Sequence, residues 1–346
     1  MVGSNIINIC KITFVIIGTI IGAGFASGQE IYTFFNKYGF NGLVGICISI
    51  LLISYIIYKT FKIVLENNIN NYEEFIKTIM PQKFKENKIL TYTINNIINI
   101  FLLICFNIMI AGFATYFVQE LNISKWFGAI LITVLSFITL SKNIDGVIKI
   151  NTYLIPIIIL LIAFLGMNKI ENINIVSENY NISMYWILSS ILYASYNSIT
   201  LIPILISLKN KINAKKQSII ISICVGIIML ILSIIIFLLM NTFIKEIYGV
   251  EIPLVYIAST LGKTFKYIYG IVILIAIFTT AIGSGYGFLS NITKKRKTYM
   301  LCAGIMCLVS IAIGQIGFSR LINLLYPVFG YLGIIQIIFL IMVKTP

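Results

Sequence analysis

The chain of 346 residues contains no histidine, and only 11 of its residues are Asp or Glu. The missing histidine removes the commonest general base and the commonest metal ligand together. No clustered carboxylates and no nucleophile motif stand in for it, so the sequence does not read as an enzyme. Charged residues of both signs make up 10% of the chain, against about 25% in a soluble domain. The six cysteines (Cys10, Cys47, Cys105, Cys224, Cys302 and Cys307) fall in apolar segments, and none forms a Cys-x-x-Cys pair. They are expected to behave as small buried hydrophobes, with no disulfide and no metal site. Strict alternation of apolar and polar residues is missing too, which disfavours a transmembrane barrel. No cleavable signal peptide is expected, because the first apolar stretch is too long and has no small-residue cleavage site.

What the chain does have is long apolar runs, with 59% hydrophobic residues overall. A spanning helix needs about 20 such residues. Runs separated by polar breaks predict ten spans, near 9–35, 42–61, 89–117, 126–140, 150–165, 185–208, 218–240, 267–289, 299–316 and 321–343. The fourth and fifth are short and close together. The net charge of +14 raises the question of nucleic acid, but its distribution answers it. With the N-terminus inside, eighteen Lys and Arg fall on the inner side and seven on the outer. This asymmetry is the positive-inside pattern of a multi-pass membrane protein with both termini cytoplasmic. The basic clusters then hold topology and meet anionic lipid headgroups; no nucleic-acid partner is implied.

Three polar stretches separate the spans. In 66–88, Asn71 followed by Glu74 reads as a capping box. Phe75, Ile76, Ile79 and Met80 then predict a short amphipathic helix on the inner surface, ending near Pro81. Stretch 168–183 is an Asn-rich outer loop. Within outer loop 241–266, Pro253 is placed to start a helix, either a lid that dips toward a cavity or a surface helix.

Two spans carry interruptions. In the first, Gly18-Thr-Ile-Ile-Gly22-Ala-Gly24-Phe-Ala-Ser-Gly28-Gln-Glu30 sets four glycines and three polar side chains mid-span. Glycine in a helix interior costs about 1 kcal/mol relative to alanine, and a carboxylate in hydrocarbon at least about 2.5 kcal/mol. In the sixth, Tyr193-Ala-Ser195-Tyr196-Asn197-Ser198 precedes Pro203, so a second break is expected. Five spans separate the two starts. An odd number makes the second five-helix unit enter from the opposite side, which is the arithmetic of an inverted repeat with a binding site where two discontinuous helices meet.

This pattern resembles the LeuT fold. The Gly18–Glu30 motif, with Phe34-Phe35, Tyr38-Gly39 and Gly42 after it, is similar to the YkvI-type family of bacterial membrane proteins, within the amino acid–polyamine–organocation superfamily. The resemblance implies a single all-α transmembrane domain over 1–346, with five-helix repeats at 8–168 and 184–343 and helices 1 and 6 discontinuous, in the bacterial cell membrane. It implies a secondary transporter for a small zwitterionic solute such as an amino acid; a transporter-like sensor that binds without net transport is the alternative. A channel is disfavoured, since no ring of charges or repeated filter occurs. The break of helix one would offer backbone groups at Gly22, Ala23, Gly24, Phe25, Ser27 and Gly28 to the solute's carboxylate and amine. Asn107, Tyr193, Ser195, Tyr196 and Asn197 would line the cavity opposite. Glu30, the acidic residue inside an apolar span, stands to bind an amine, a proton or a cation. Sodium-coupled relatives pair two hydroxyls of helix eight with carbonyls of helix one; the matching residues are Thr279, Thr280, Gly18 and Ile21. No cofactor is implied beyond Na⁺ or H⁺ as coupling ion, and the oligomeric state is left open.

Overall fold

A main chain crossing hydrocarbon must satisfy its own amides and carbonyls, and this chain does so with helices. The computed structural model describes residues 2–81, 88–142, 145–170, 184–212, 215–293 and 295–343. Most of the Asn-rich loop (171–183), together with Lys83, Lys85, Lys294 and Lys344, lies outside the described residues. The elements are α1 Val2–Ile20, α2 Ala23–Ala26, α3 Gln29–Phe34, α4 Phe40–Glu66, α5 Tyr72–Ile79, α6 Lys88–Leu121 and α7 Lys125–Ser141. They continue as α8 Asp145–Lys169, α9 Tyr185–Ser207, α10 Lys215–Thr242, α11 Pro253–Ser259, α12 Lys263–Ile292, α13 Arg296–Ile313 and α14 Phe318–Met342. Among the described residues seven helices are long and apolar enough to cross a membrane, and Ile7–Ile20, Lys125–Ser141 and Tyr153–Lys169 are shorter apolar helices. Together they account for the ten runs. α7 and α8 separate cleanly where the sequence leaves least room.

The two halves begin on opposite faces. α1 starts beside the α9–α10 connection, where Asn8 Nδ2 donates to Lys211 O at 2.7 Å. α9 starts at the other face, where Ser189 Oγ donates to Phe34 O at 2.7 Å. We call these the α5 face and the α11 face. α1, α4, α9 and α10 pack on one another as one group, and α6, α7, α12 and α13 as a second. α8 bridges α10 and α12, while α14 lies along α9 and reaches α6. This is the five-plus-five, LeuT-like arrangement.

The capping box forms as expected. Asn71 Oδ1 accepts from Glu74 N at 2.9 Å, and Glu74 Oε2 accepts from Asn70 N at 2.9 Å. Such a cap contributes about 1 kcal/mol and fixes the start of α5. Phe75, Ile76 and Ile79 then pack against Ile63, Ile206 and Ile337 in a small second core. Tyr72, the first residue of α5, is drawn into the same contact, its hydroxyl accepting from Gln336 Nε2 at 2.9 Å. Burial pushes its phenol above the usual tyrosine range, so it stays protonated.

Two expectations need correction. α9 is continuous from Tyr185 to Ser207, so helix 6 is not discontinuous. Its polar run competes less than expected, because the side chains bond carbonyls of their own helix: Ser195 Oγ to Ile191 O, Asn197 Nδ2 to Tyr193 O and Ser198 Oγ to Ser195 O. Hydroxyl back-bonding of this kind bends a helix before it breaks one. The cysteines are also not uniformly buried: Cys105 and Cys307 are, whereas Cys10 is exposed and Cys47, Cys224 and Cys302 are half-buried, as helices facing lipid on one side require.

Candidate functional site

The first span is broken where the glycines lie. α1 ends at Ile20, and Gly22 N turns back to Ile20 O at 2.9 Å instead of bonding Gly18 O. One isolated turn, α2, follows. Gly28 then takes the left-handed conformation (φ 83°) before α3 begins. A Cβ at Gly28 would run into Met240 and Leu254. Gly28→Ala is therefore expected to lower stability by about 2 kcal/mol or more, from left-handed strain plus overlap, read as the thermal midpoint of the purified protein.

The broken segment is held by groups from two other elements and by one of its own side chains. Tyr269 Oη, on α12, donates to Ala26 O at 2.8 Å. Ser27 Oγ donates to Gly24 O at 2.9 Å. The α11 backbone reaches in directly, with Leu254 N donating to Ser27 O at 3.0 Å. α11 begins at Pro253 and buries Pro253, Leu254, Val255, Ile257 and Ala258. Of the two readings of this segment the structure shows the lid: it covers the break from the α11 face.

Glu30 folds back over α2. Its Oε2 accepts from Tyr196 Oη on α9, and the backbone of Phe25 hydrogen-bonds the same carboxylate. Gly24 lies so close that an added Cβ would overlap Oε1. Glu30 is 3% exposed. The ion pairs of the described residues all lie elsewhere, at Lys77–Glu73, Lys215–Glu66 and Lys266–Glu120. Around Tyr196 the rings close up: Phe34 stacks on it with centroids 5.6 Å apart, Tyr326 lies at 4.8 Å and Tyr193 meets it edge-on at 5.5 Å. Each such pair contributes about 0.5–1.5 kcal/mol beyond burial.

This cluster separates two cavities. One, of about 890 Å³, opens at the α5 face past Tyr72, Glu73 and Lys211. It climbs between α1, α6, α9 and α12 to Gly18, Gly22, Cys105, Thr279 and Thr280. The other, of about 930 Å³, is a recess at the α11 face lined by Tyr32, Lys37, Tyr185, Lys245 and Tyr331, and its floor is Phe34. The α5-face cavity thus reaches the break at Gly18 and Gly22, whereas the α11-face recess meets Phe34.

The structure brings together many of the residues singled out from sequence. Gly22, Ala23, Gly24, Phe25, Ser27, Gly28 and Glu30 share the break, and Tyr196 bonds Glu30 across from α9. Gly18 and Thr280 line the cavity with Thr279. A Cβ on Gly22 would stand 4.0 Å from Thr280. Gly18 O has lost its usual helical donor, and neutral hydroxyl and carbonyl oxygens of this kind suit a hard monovalent cation. Thr279 Oγ1 donates to Ala276 O at 3.1 Å, and Ile21 is buried. Ser195 does not face the break; it packs against α14 at Gly333. Asn107 and Asn197 bond carbonyls of their own helices. The turn expected to offer backbone groups to a solute also bonds the chain's own carboxylate, that of Glu30.

The sequence did not point to Tyr269, Tyr326 or Glu251. Glu251 sits just before the lid. Its Oε2 accepts from the Phe318 and Ser319 amides at the start of α14 and from Thr115 Oγ1 at 3.3 Å. Gln119 Oε1 accepts from the Glu251 and Ile252 amides, both at 3.1 Å. Glu120, paired to Lys266 at 2.7 Å, accepts from Gln119 Nε2 at 2.6 Å. Lid, α6, α12 and α14 are thereby joined at the α11 face.

Comparison with known proteins agrees with this architecture. The Bacillus subtilis membrane protein YkvI is 27% identical over 97% of this chain and 96% of its own length. YyaD of the same bacterium is 26% identical over 96% of each. No family model matches. Among solved structures, the inward-facing conformation of Mhp1 superposes with a TM-score of 0.62 at 12% identity, covering 93% of this chain and 72% of that one. The closed conformation of Mhp1, a nucleobase-cation-symport-1 family transporter with bromovinylhydantoin bound, gives 0.56 at 10% identity over 86% and 70%. The manganese transporter of Eremococcus coleocola, in complex with an aromatic bis-isothiourea compound, gives 0.59 at 16% identity over 97% and 78%. At such identities the common property is the fold, which is that of LeuT-like membrane proteins.

Proposed function

We propose that the chain is a secondary transporter that moves a small solute carrying a basic nitrogen by alternating access, with the solute held between the break of the first span and α9. The observation that carries this reading is the cavity that opens at the α5 face and reaches the break of the first span at Gly18 and Gly22, the same break over which the buried Glu30 carboxylate folds. A buried carboxylate without an ionic partner is costly; a solute ammonium, a proton or a sodium ion brought up the cavity offsets that cost. Amino acids are the candidate solutes that the sequence suggests, and their amino group is the part this geometry serves. The distribution of basic residues makes the α5 face cytoplasmic, so this conformation is inward-open in the bacterial cell membrane.

Rocking of the α1–α4–α9–α10 group against the second group exchanges which face is open. Sodium coupling draws on Gly18, Ile21, Thr279 and Thr280, and proton coupling on Glu30. Uptake of radiolabelled amines and amino acids by proteoliposomes, with and without imposed Na⁺ and H⁺ gradients, tests the reading. Solute-dependent uptake supports it. Binding without uptake by folded protein turns the reading toward a sensor. Thr280→Ala is expected to weaken the sodium dependence of uptake by roughly tenfold, the size of one lost oxygen contact, with folding intact. Unchanged sodium dependence removes this hydroxyl from the ion path.

A further inference from the structure

We propose that the recess at the α11 face is a binding site of its own, and that it takes a phenolic acid from the outer side. The site stands whether or not the chain transports a solute. The recess measures about 930 Å³, and small-molecule pockets occupy about 300–1,000 Å³. It shares no lining residue with the α5-face cavity. Its charged residues are Lys37 and Lys245, and no Asp or Glu lines it. The outer side holds only seven Lys and Arg. Two of them reach this recess from distant segments, Lys37 in the turn after α3 and Lys245 in the connection after α10. Neither belongs to an ion pair among the described residues; Lys37 Nζ lies 5.0 Å from the centre of the Tyr38 ring instead. Two cations on one concave wall, with no acid there to balance them, raise the local concentration of anions. Five of the lining residues are tyrosines, joined by aliphatic side chains such as Leu188 and Leu192. An apolar wall with a few polar points suits a ligand with an aromatic body. Asn36 supplies a third polar point. It lines the recess and is 4% exposed. Its Nδ2 donates to Phe237 O at 3.1 Å, while Oδ1 lacks a donor among the described residues. A buried acceptor in that state is unfavourable, and a ligand hydroxyl relieves it. A phenolic acid carries both the carboxylate and the hydroxyl.

The test is titration calorimetry on the purified full-length protein in phosphatidylcholine nanodiscs. The probes are 4-hydroxyphenylacetate, phenylacetate, 2-(4-hydroxyphenyl)ethanol and 4-hydroxyphenethylamine. 4-Hydroxyphenylacetate is expected to bind roughly tenfold tighter than the alcohol and the amine, as two solvent-facing charge contacts predict. It is expected to bind roughly threefold tighter than phenylacetate, as one neutral hydrogen bond predicts. In the double variant Lys37→Gln/Lys245→Gln the acid and the alcohol converge. Both side chains are exposed, so the fold tolerates the exchange. The charge-matched control Lys125→Gln/Lys263→Gln, away from the recess, keeps the preference. Acid and alcohol bound equally by the wild type, a preference that survives in the first double variant, or its loss in the control overturns the inference, as does the absence of binding by every probe. Phenylacetate bound as tightly as its hydroxylated form overturns the part given to Asn36. Acid binding that disappears when phosphatidylglycerol is added to the nanodisc gives the recess to a lipid headgroup and overturns the soluble ligand.

Discussion

Glu30→Gln is expected to reduce gradient-driven uptake sharply. The expected loss is roughly 10- to 150-fold, which is what one charge-assisted hydrogen bond at about 1.5–3 kcal/mol is worth. The substitution keeps the shape of the side chain, and the glutamine amide can still bond the Tyr196 hydroxyl and the Phe25 backbone, so the break and its lid remain formed. What disappears is the carboxyl group at the break and its capacity to exchange a proton there. The measurement is initial uptake rate in proteoliposomes across external pH, with and without a sodium gradient, alongside a thermal melt of the same preparation. Full uptake with an unaltered pH profile in a normally melting variant would take Glu30 out of the mechanism. A large fall in melting temperature would instead mark the carboxylate as a structural staple of the broken turn.

The second large effect is expected at Glu251, which neither bonds Glu30 nor lines the cavity of the α5 face. Its carboxylate caps α14, and its own amide is held by Gln119 of α6. Removing a helix cap costs about 1–2 kcal/mol. Here that energy holds the lid-bearing segment against α6 and α14 while the α5 face is open. Glu251→Ala is therefore expected to shift the balance toward the state open at the α11 face by a factor of about 5–30. Cys105 reports the shift without engineering, since it lies on the cavity open to the α5 face. Its labelling by an impermeant thiol reagent from that face, read on the Cys105 peptide by mass spectrometry, falls in Glu251→Ala and falls less in Glu251→Gln, whose amide oxygen can still accept from the α14 amides. Equal labelling in all three proteins would mean that the contact only stabilises the fold.

Much of this was legible from the residues. The glycines of the first span predicted a break, and Gly28 adopts a conformation that other residues avoid. Asn71 and Glu74 are three apart and cap locally, and Pro253 starts a helix where its ring geometry prefers to. These features depend on neighbours in the chain, so sequence alone carries them. Tyr269 and Glu251 were not legible, because their partners stand 243 and 67 residues away and only packing brings them together. The sixth span was misread for a different reason. Polar side chains in a helix either divert the backbone or bond it, and the pattern Tyr193–Ser198 does not reveal which. Ser195 and Asn197 bond their own helix, and the helix persists. The fold-back of Glu30 onto a turn six residues earlier was not legible either, because it is a tertiary event that spacing does not announce.

The continuous α9 still has one gap in its ladder. Pro203 carries no amide, so the carbonyl of Ile199 goes without the donor that every regular helical turn supplies, and both residues stand on the wall of the α5-face cavity. Water therefore finds a main-chain oxygen ready to accept a hydrogen bond partway up the cavity. One ring-closed residue thereby frees a main-chain acceptor that unwinding a whole turn would otherwise have to provide.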